Sequence, residues 1–130
     1  LVFGNSNLVG ALLIMAHPNK IRGNSFEREI VNRAKSDDYK LSAKRAYASD
    51  GRSLGKSEVV DCIVEDVTIQ AKRRKKVAQW LYPEYHGDDV DVVATRMDRS
   101  KPLVVLYLDD WLELIKIKKE YQEWKLQKKK

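Results

Sequence analysis

A single cysteine, Cys62, and two histidines, His17 and His86, are all this 130-residue chain offers of thiolate and imidazole metal ligands. One cysteine excludes an intrachain disulfide framework and reads as a protein of a reducing compartment, the cytoplasm. One Cys and two His cannot assemble a zinc site of ordinary spacing. No histidine lies near Ser49 in sequence, so nothing marks that hydroxyl as an activated nucleophile. Long apolar runs are also missing. The unbroken stretch 11–16 is far too short to span a bilayer, so no membrane partner is expected. Acidic residues are outnumbered, 19 against 25 Lys and Arg, for a net charge of +6. That balance suits a polyanionic partner.

No internal repeat and no long linker divides the chain, whose length suits one core. A single domain over 20–126 is expected, with an N-terminal extension over 1–19 and a basic tail over 127–130. Residues 1–15 are mostly apolar without a basic leader region, and Met15-Ala16-His17-Pro18 reads as a native start. Residues 1–14 are then expected to be upstream or non-native sequence, or a segment that packs on a neighbour, and the end over 125–130 is expected to be disordered. Periodicity predicts a first helix over 25–35, burying Phe26, Ile30, Val31 and Ala34. Strands are expected at 40–47, 59–64 and 67–72, then a second helix over 74–81 stopped by Pro83. A strand pair at 91–97 and 103–108 follows, and a last helix from about Asp110 with Leu114, Ile117, Tyr121 and Trp124 on one face. The order α-β-β-β-α-β-β-α predicts an α/β fold, a mixed sheet of about five strands flanked by helices.

The chemistry concentrates in residues 58–76. Two apolar runs flank Glu65-Asp66, which reads as a tight turn between strands. Side chains alternate along a strand, so Gln70 and Lys72 share a face. Such alternation is ordinarily the solvated face of a half-buried sheet. Asp61 does not fit that picture, because a carboxylate is costly among valines. Adjacent strands lie about 4.8 Å apart, so Asp61, Gln70 and Lys72 can converge. Oxygen ligands for a divalent cation beside an ammonium are what phosphodiester hydrolysis requires.

Gly23-Asn24-Ser25-Phe26-Glu27-Arg28-Glu29 precedes this hairpin, followed by Arg45 with Ser49-Asp50-Gly51. With Val60-Asp61-Cys62-Ile63-Val64 and Ile69-Gln70-Ala71-Lys72, that order resembles the archaeal-type Holliday junction resolvases, phage-encoded relatives included. These belong to the PD-(D/E)xK nuclease superfamily, and the resemblance spans residues 20–115. It implies a restriction-endonuclease-like fold and a metal-dependent, structure-selective DNA endonuclease. A homodimer would resolve four-way junctions by paired symmetric nicks, in the host cytoplasm if phage-encoded. It further implies Asp61, Gln70 and Glu27 as ligands of Mg²⁺, with Mn²⁺ as a substitute, and Lys72 as the catalytic lysine. Arg28, Arg45, Arg73, Arg74, Lys75 and Lys76 become the DNA contacts. Gln70 departs from the usual Glu, removing one negative charge while keeping a carbonyl oxygen for a hard cation.

Plainer readings stand beside these. Asn24-x-x-Glu27 fits a helix capping box. Lys72 opens a run of five basic residues, and such runs are commonly solvated faces. Trp80, Tyr82, Tyr85, Tyr121 and Trp124 suit a core or a subunit contact as well as base stacking. A different PD-(D/E)xK endonuclease, of restriction or nicking type, and a non-catalytic junction-binding protein remain open.

Overall fold

The computed structural model describes residues 18–46 and 51–129, with side chains from Asn24 onward. Calls on residues 1–17, and on Ser49 and Asp50, lie outside the described residues. Two compact units emerge, one of residues 18–36, 41–46 and 51–73, the other of residues 37–40 and 74–129.

The first unit opens with helix α1, Pro18–Lys35. It begins seven residues before the expected start at 25, and its proline suits a first turn, where the missing N–H costs nothing. Asn24 is therefore inside the helix, which rules out the capping box at Glu27. The buried stripe is Glu27, Ile30, Val31 and Ala34, with Phe26 only half-buried. A carboxylate thus takes the first place in an otherwise apolar i, i+3, i+4, i+7 row. Arg33 and Lys35 complement the dipole of the last turn. Ser36 Oγ donates to the Arg33 carbonyl at 2.7 Å, and Leu41 N–H to that of Ala34 at 2.8 Å.

Helix α1 packs on a three-stranded antiparallel sheet of β1 Ala43–Arg45, β2 Cys62–Val64 and β3 Val67–Ile69, in that order. The register sets Arg45 opposite Cys62, Val64 opposite Val67, and Cys62 opposite Ile69. Ala43, Cys62 and Val64 form the buried face. The Glu65-Asp66 turn forms as the sequence indicates. Glu65 has φ of +53° and is held by Ser42 twice, its N–H donating to the carbonyl at 2.7 Å and Oε2 accepting from Ser42 N–H at 2.6 Å. Two bonds from one neighbour offset the cost of a left-handed non-glycine residue.

The second unit contains 3₁₀ turns at Gln79–Leu81 and Pro83–His86, hairpin strands β4 Val93–Thr95 and β5 Leu103–Val105, and helix α2 Leu108–Lys128. Val93, Pro83 and Leu112 are its buried residues. Tyr107 donates to Glu84 at 2.7 Å, and Lys116 to the Asp38 carbonyl at 3.2 Å.

Three expectations need correction. The helix over 74–81 does not form. Its first residues are Arg74, Lys75 and Lys76, which continue a like-charged run, and the residue before Pro83 is driven to extended backbone. The five strands form no single mixed sheet. They divide into sheets of three and two, and every pairing among the described residues is antiparallel. A parallel neighbour needs a crossover connection, and the helix expected to supply one is missing. The basic end is helical through Lys128 rather than a disordered tail. Among the described residues the chain is thus mixed α and β, with two α-helices and two small antiparallel sheets. Among the described residues no helix is long and apolar enough to cross a membrane.

Candidate active site

Strand β2 begins with an irregularity. Asp61 N–H donates to the Ile69 carbonyl at 2.8 Å, yet the ladder pairs Ile69 with Cys62. Two consecutive residues opposite one is a β-bulge, which re-aims a side chain. Simple alternation would set Asp61 above the same face as Gln70 and Lys72. Instead its carboxylate lies along the ladder, and Oδ2 accepts from the Ala71 N–H at 2.7 Å. The Asp61 carbonyl accepts from Ala46 N–H at 2.8 Å, so the residue is tied to both neighbouring strands. Among the described residues Oδ1 has no hydrogen-bond partner.

A glycine holds the approach to this bulge. Gly51 is buried in the 3₁₀ turn Gly51–Leu54, and a Cβ there would strike the Ser57 carbonyl and come within 2.7 Å of Val60 Cβ. Only glycine lets that turn lie against the residue preceding Asp61.

Glu27 reaches the same end of the sheet from α1. It is 3% exposed, and Oε2 meets an Arg45 guanidinium nitrogen at 3.3 Å, with the Arg45 side chain 25% exposed. Arg45 Nε is buried and without a partner among the described residues. Cys62, opposite Arg45 in the ladder, is fully buried, and its thiol is pushed up to about 11. Burial is the largest cause, followed by the Glu27 and Asp61 carboxylates, with Arg45 opposing. The register sets Arg45 opposite Cys62, and Asp61, which precedes Cys62, bonds the residue after Arg45, so Glu27, Arg45 and Asp61 meet at one end of the sheet.

Gln70 and Lys72 flank Ala71, the residue bonded to Asp61. The exposure of Thr68, Gln70 and Lys72 alternates with half-buried Val67, Ile69 and Ala71, as strand periodicity requires. Neither Gln70 nor Lys72 makes a side-chain bond to Asp61 or Glu27. Arg28 is exposed on α1, and Arg73 is exposed just beyond Lys72. Arg74, Lys75 and Lys76 are exposed and belong to the second unit.

The donor set fits a hard cation modestly. Asp61 Oδ1 is an open anionic oxygen, and the exposed Gln70 amide can add a neutral one, while Glu27 is engaged by Arg45. Among the described residues no three His, Cys, Asp or Glu converge as a metal cluster. A magnesium ion that keeps several waters needs no more than one or two protein carboxylates. Sequence reasoning did not find the Glu27–Arg45 pair, the Asp61 bulge or the close approach of Gly51. The first had a signal: Glu27 precedes Ile30, Val31 and Ala34 at helical spacing. Comparison with known proteins gives no match to a family model, a curated protein or a solved structure.

Proposed function

We propose that this chain is a metal-dependent, structure-selective DNA endonuclease that resolves four-way junctions as a homodimer. One observation carries the reading. Glu27, Arg45 and Asp61 meet at one end of the three-stranded sheet, and Asp61 binds the backbone between Gln70 and Lys72. A carboxylate buried on a helix, a bulged strand aspartate and an adjoining lysine-bearing strand suit phosphodiester hydrolysis better than a solvated hairpin face. In this reading α1 with β1–β3 is the catalytic half of a restriction-endonuclease-like fold.

Asp61 and Gln70 would hold Mg²⁺, or Mn²⁺ in its place. When bound, the cation polarises the scissile phosphate and lowers the pKa of an attacking water. Lys72 offsets charge developing on the phosphoryl oxygens. Arg45, whose side chain is 25% exposed, turns the open edge of its guanidinium to a phosphate oxygen, and Glu27 fixes that guanidinium in place. Arg28 and Arg73, with the basic run that follows, supply phosphate contacts that position the duplex without reading bases.

The neutral Gln70 favours a second reading, a junction-binding protein that does not cut. A labelled four-way junction and a matching linear duplex, each with and without Mg²⁺, decide between them. Paired nicks in the junction alone, only with Mg²⁺, are expected. Tight junction binding without cleavage in Mg²⁺ or Mn²⁺ would leave the binder. Equal cleavage of the linear duplex would point to a restriction or nicking enzyme.

A further inference from the structure

Helix α2 has two apolar faces, and its own unit uses one. Leu112 is fully buried, with Leu108, Trp111 and Ile115 half-buried around it. On the opposite side Leu114, Ile117, Tyr121 and Trp124 are each between 52% and 56% exposed. Their spacing of three, four and three residues is the a/d pattern of a coiled-coil seam. With Leu114 at position a, Leu112 falls at f, the place farthest from the seam. Burial and heptad phase therefore agree without adjustment.

The flanking charges identify what covers the seam. Glu113 and Glu120 occupy the g positions, and Lys118 and Lys125 the e positions. In a parallel pair each g residue meets the e residue five places on in the other helix. Glu113 then meets Lys118 of the second copy, and Glu120 meets its Lys125. Both contacts are opposite in sign and both occur twice. An antiparallel pair centred on the same seam sets Glu120 against Glu120 and Lys118 against Lys118, which repel. Lys128 takes the next a position, where a two-stranded seam lets an ammonium reach water. The Tyr121 and Trp124 rings already stack at 5.9 Å within one helix, so less side-chain freedom is lost on association.

We infer that α2 is a self-association surface, pairing in parallel with α2 of a second copy of this chain through Leu114, Ile117, Tyr121 and Trp124. This gives the proposed homodimer its interface, yet it stands on α2 alone. A chain that pairs but does not cut would lose the nuclease reading and keep this one.

Sedimentation equilibrium over a concentration series provides the test. The unaltered chain should reach twice the monomer mass, whereas Ile117→Lys with Tyr121→Lys stays monomeric with an unchanged circular dichroism spectrum. These side chains are exposed, so the folded unit tolerates the change. The charge pairing is read from two variants, one with Glu113→Lys and Glu120→Lys, the other with Lys118→Glu and Lys125→Glu. Each alone should remain monomeric, and an equimolar mixture should recover the doubled mass. Orientation is read from Lys128→Cys, whose thiols meet only in a parallel pair, so mild oxidation should cross-link the dimer, and a dimer that does not cross-link overturns the parallel arrangement. A parent chain monomeric at every concentration overturns the inference. So does a seam variant that still associates, or a mixture that fails to recover.

Discussion

Asp61 and Ala71 are joined by a 2.7 Å hydrogen bond from the Ala71 N–H to the Asp61 carboxylate, across strands that the bulge has thrown out of simple register. The bond explains how an aspartate is tolerated among valines, because one oxygen replaces a ladder acceptor. It also fixes the other oxygen in place.

Asp61→Asn should separate folding from chemistry. The amide oxygen still accepts from Ala71, so stability should change by about 1 kcal/mol or less. Cleavage should fall by at least about two orders of magnitude, because a neutral side chain binds a hard cation poorly. Junction binding should stay within a few-fold. Thermal melts, gel-shift titration and nicking assays on one preparation check all three, and cleavage at the parental rate would remove Asp61 from the site.

Gln70→Glu should strengthen metal binding. A second carboxylate beside Asp61 raises affinity for Mg²⁺, so the half-saturating concentration for cleavage should drop several-fold. A metal titration of both forms measures this. An unchanged midpoint would show that Gln70 is not a ligand.

The Glu27–Arg45 pair should behave as a unit. Arg45→Met strips a 3%-exposed carboxylate of its guanidinium. The expected cost is about 3 kcal/mol, the usual penalty for breaking a buried ion pair. Replacing both, Glu27→Gln with Arg45→Met, should cost less than the sum of the single changes. Urea unfolding of the four members of the cycle gives the coupling. Additive values would mean that the pair carries no buried charge interaction.

Gly51→Ala should destabilise the first unit by about 2 kcal/mol, through overpacking against backbone that cannot yield. The added Cβ would strike the Ser57 carbonyl and sit 2.7 Å from Val60 Cβ, one residue before Asp61. A loss of cleavage beyond the loss of folded protein is expected, since Asp61 shifts with Val60. Activity per folded molecule, with the folded fraction taken from circular dichroism, separates the two effects.

Cys62 predicts a pH dependence. Its thiol ionises near 9.0 when free and at about 11 when folded. Below pH 9 both states are protonated, and the contribution to stability is fully present. Between pH 9 and 11 the unfolded chain releases its proton first, so stability falls as pH rises, by up to about 3 kcal/mol. Cys62→Ser should flatten that slope in urea melts. The native thiol should also resist alkylation at pH 8 and react on unfolding. Rapid labelling of folded protein would contradict its burial.

Sequence alone determined the parts governed by local chemistry. The Glu65-Asp66 turn, the strands around it, the hairpin of β4 and β5, and the helix carrying Leu114, Ile117, Tyr121 and Trp124 all follow from period and turn residues. Asp61, Gln70 and Lys72 stood out because a polar residue in an apolar strand is visible without coordinates. Tertiary structure decided what depends on distant neighbours. Glu27 reads locally as a capping residue, and only the packing of α1 on β1 reveals it as the buried partner of Arg45. The bulge at Asp61 is a property of pairing, which no single strand encodes. The helix expected over 74–81 did not form, where Arg74, Lys75 and Lys76 repel one another and Tyr82 is held extended by Pro83. The division of five strands into two antiparallel sheets followed from that loss, since hairpins supply only antiparallel neighbours.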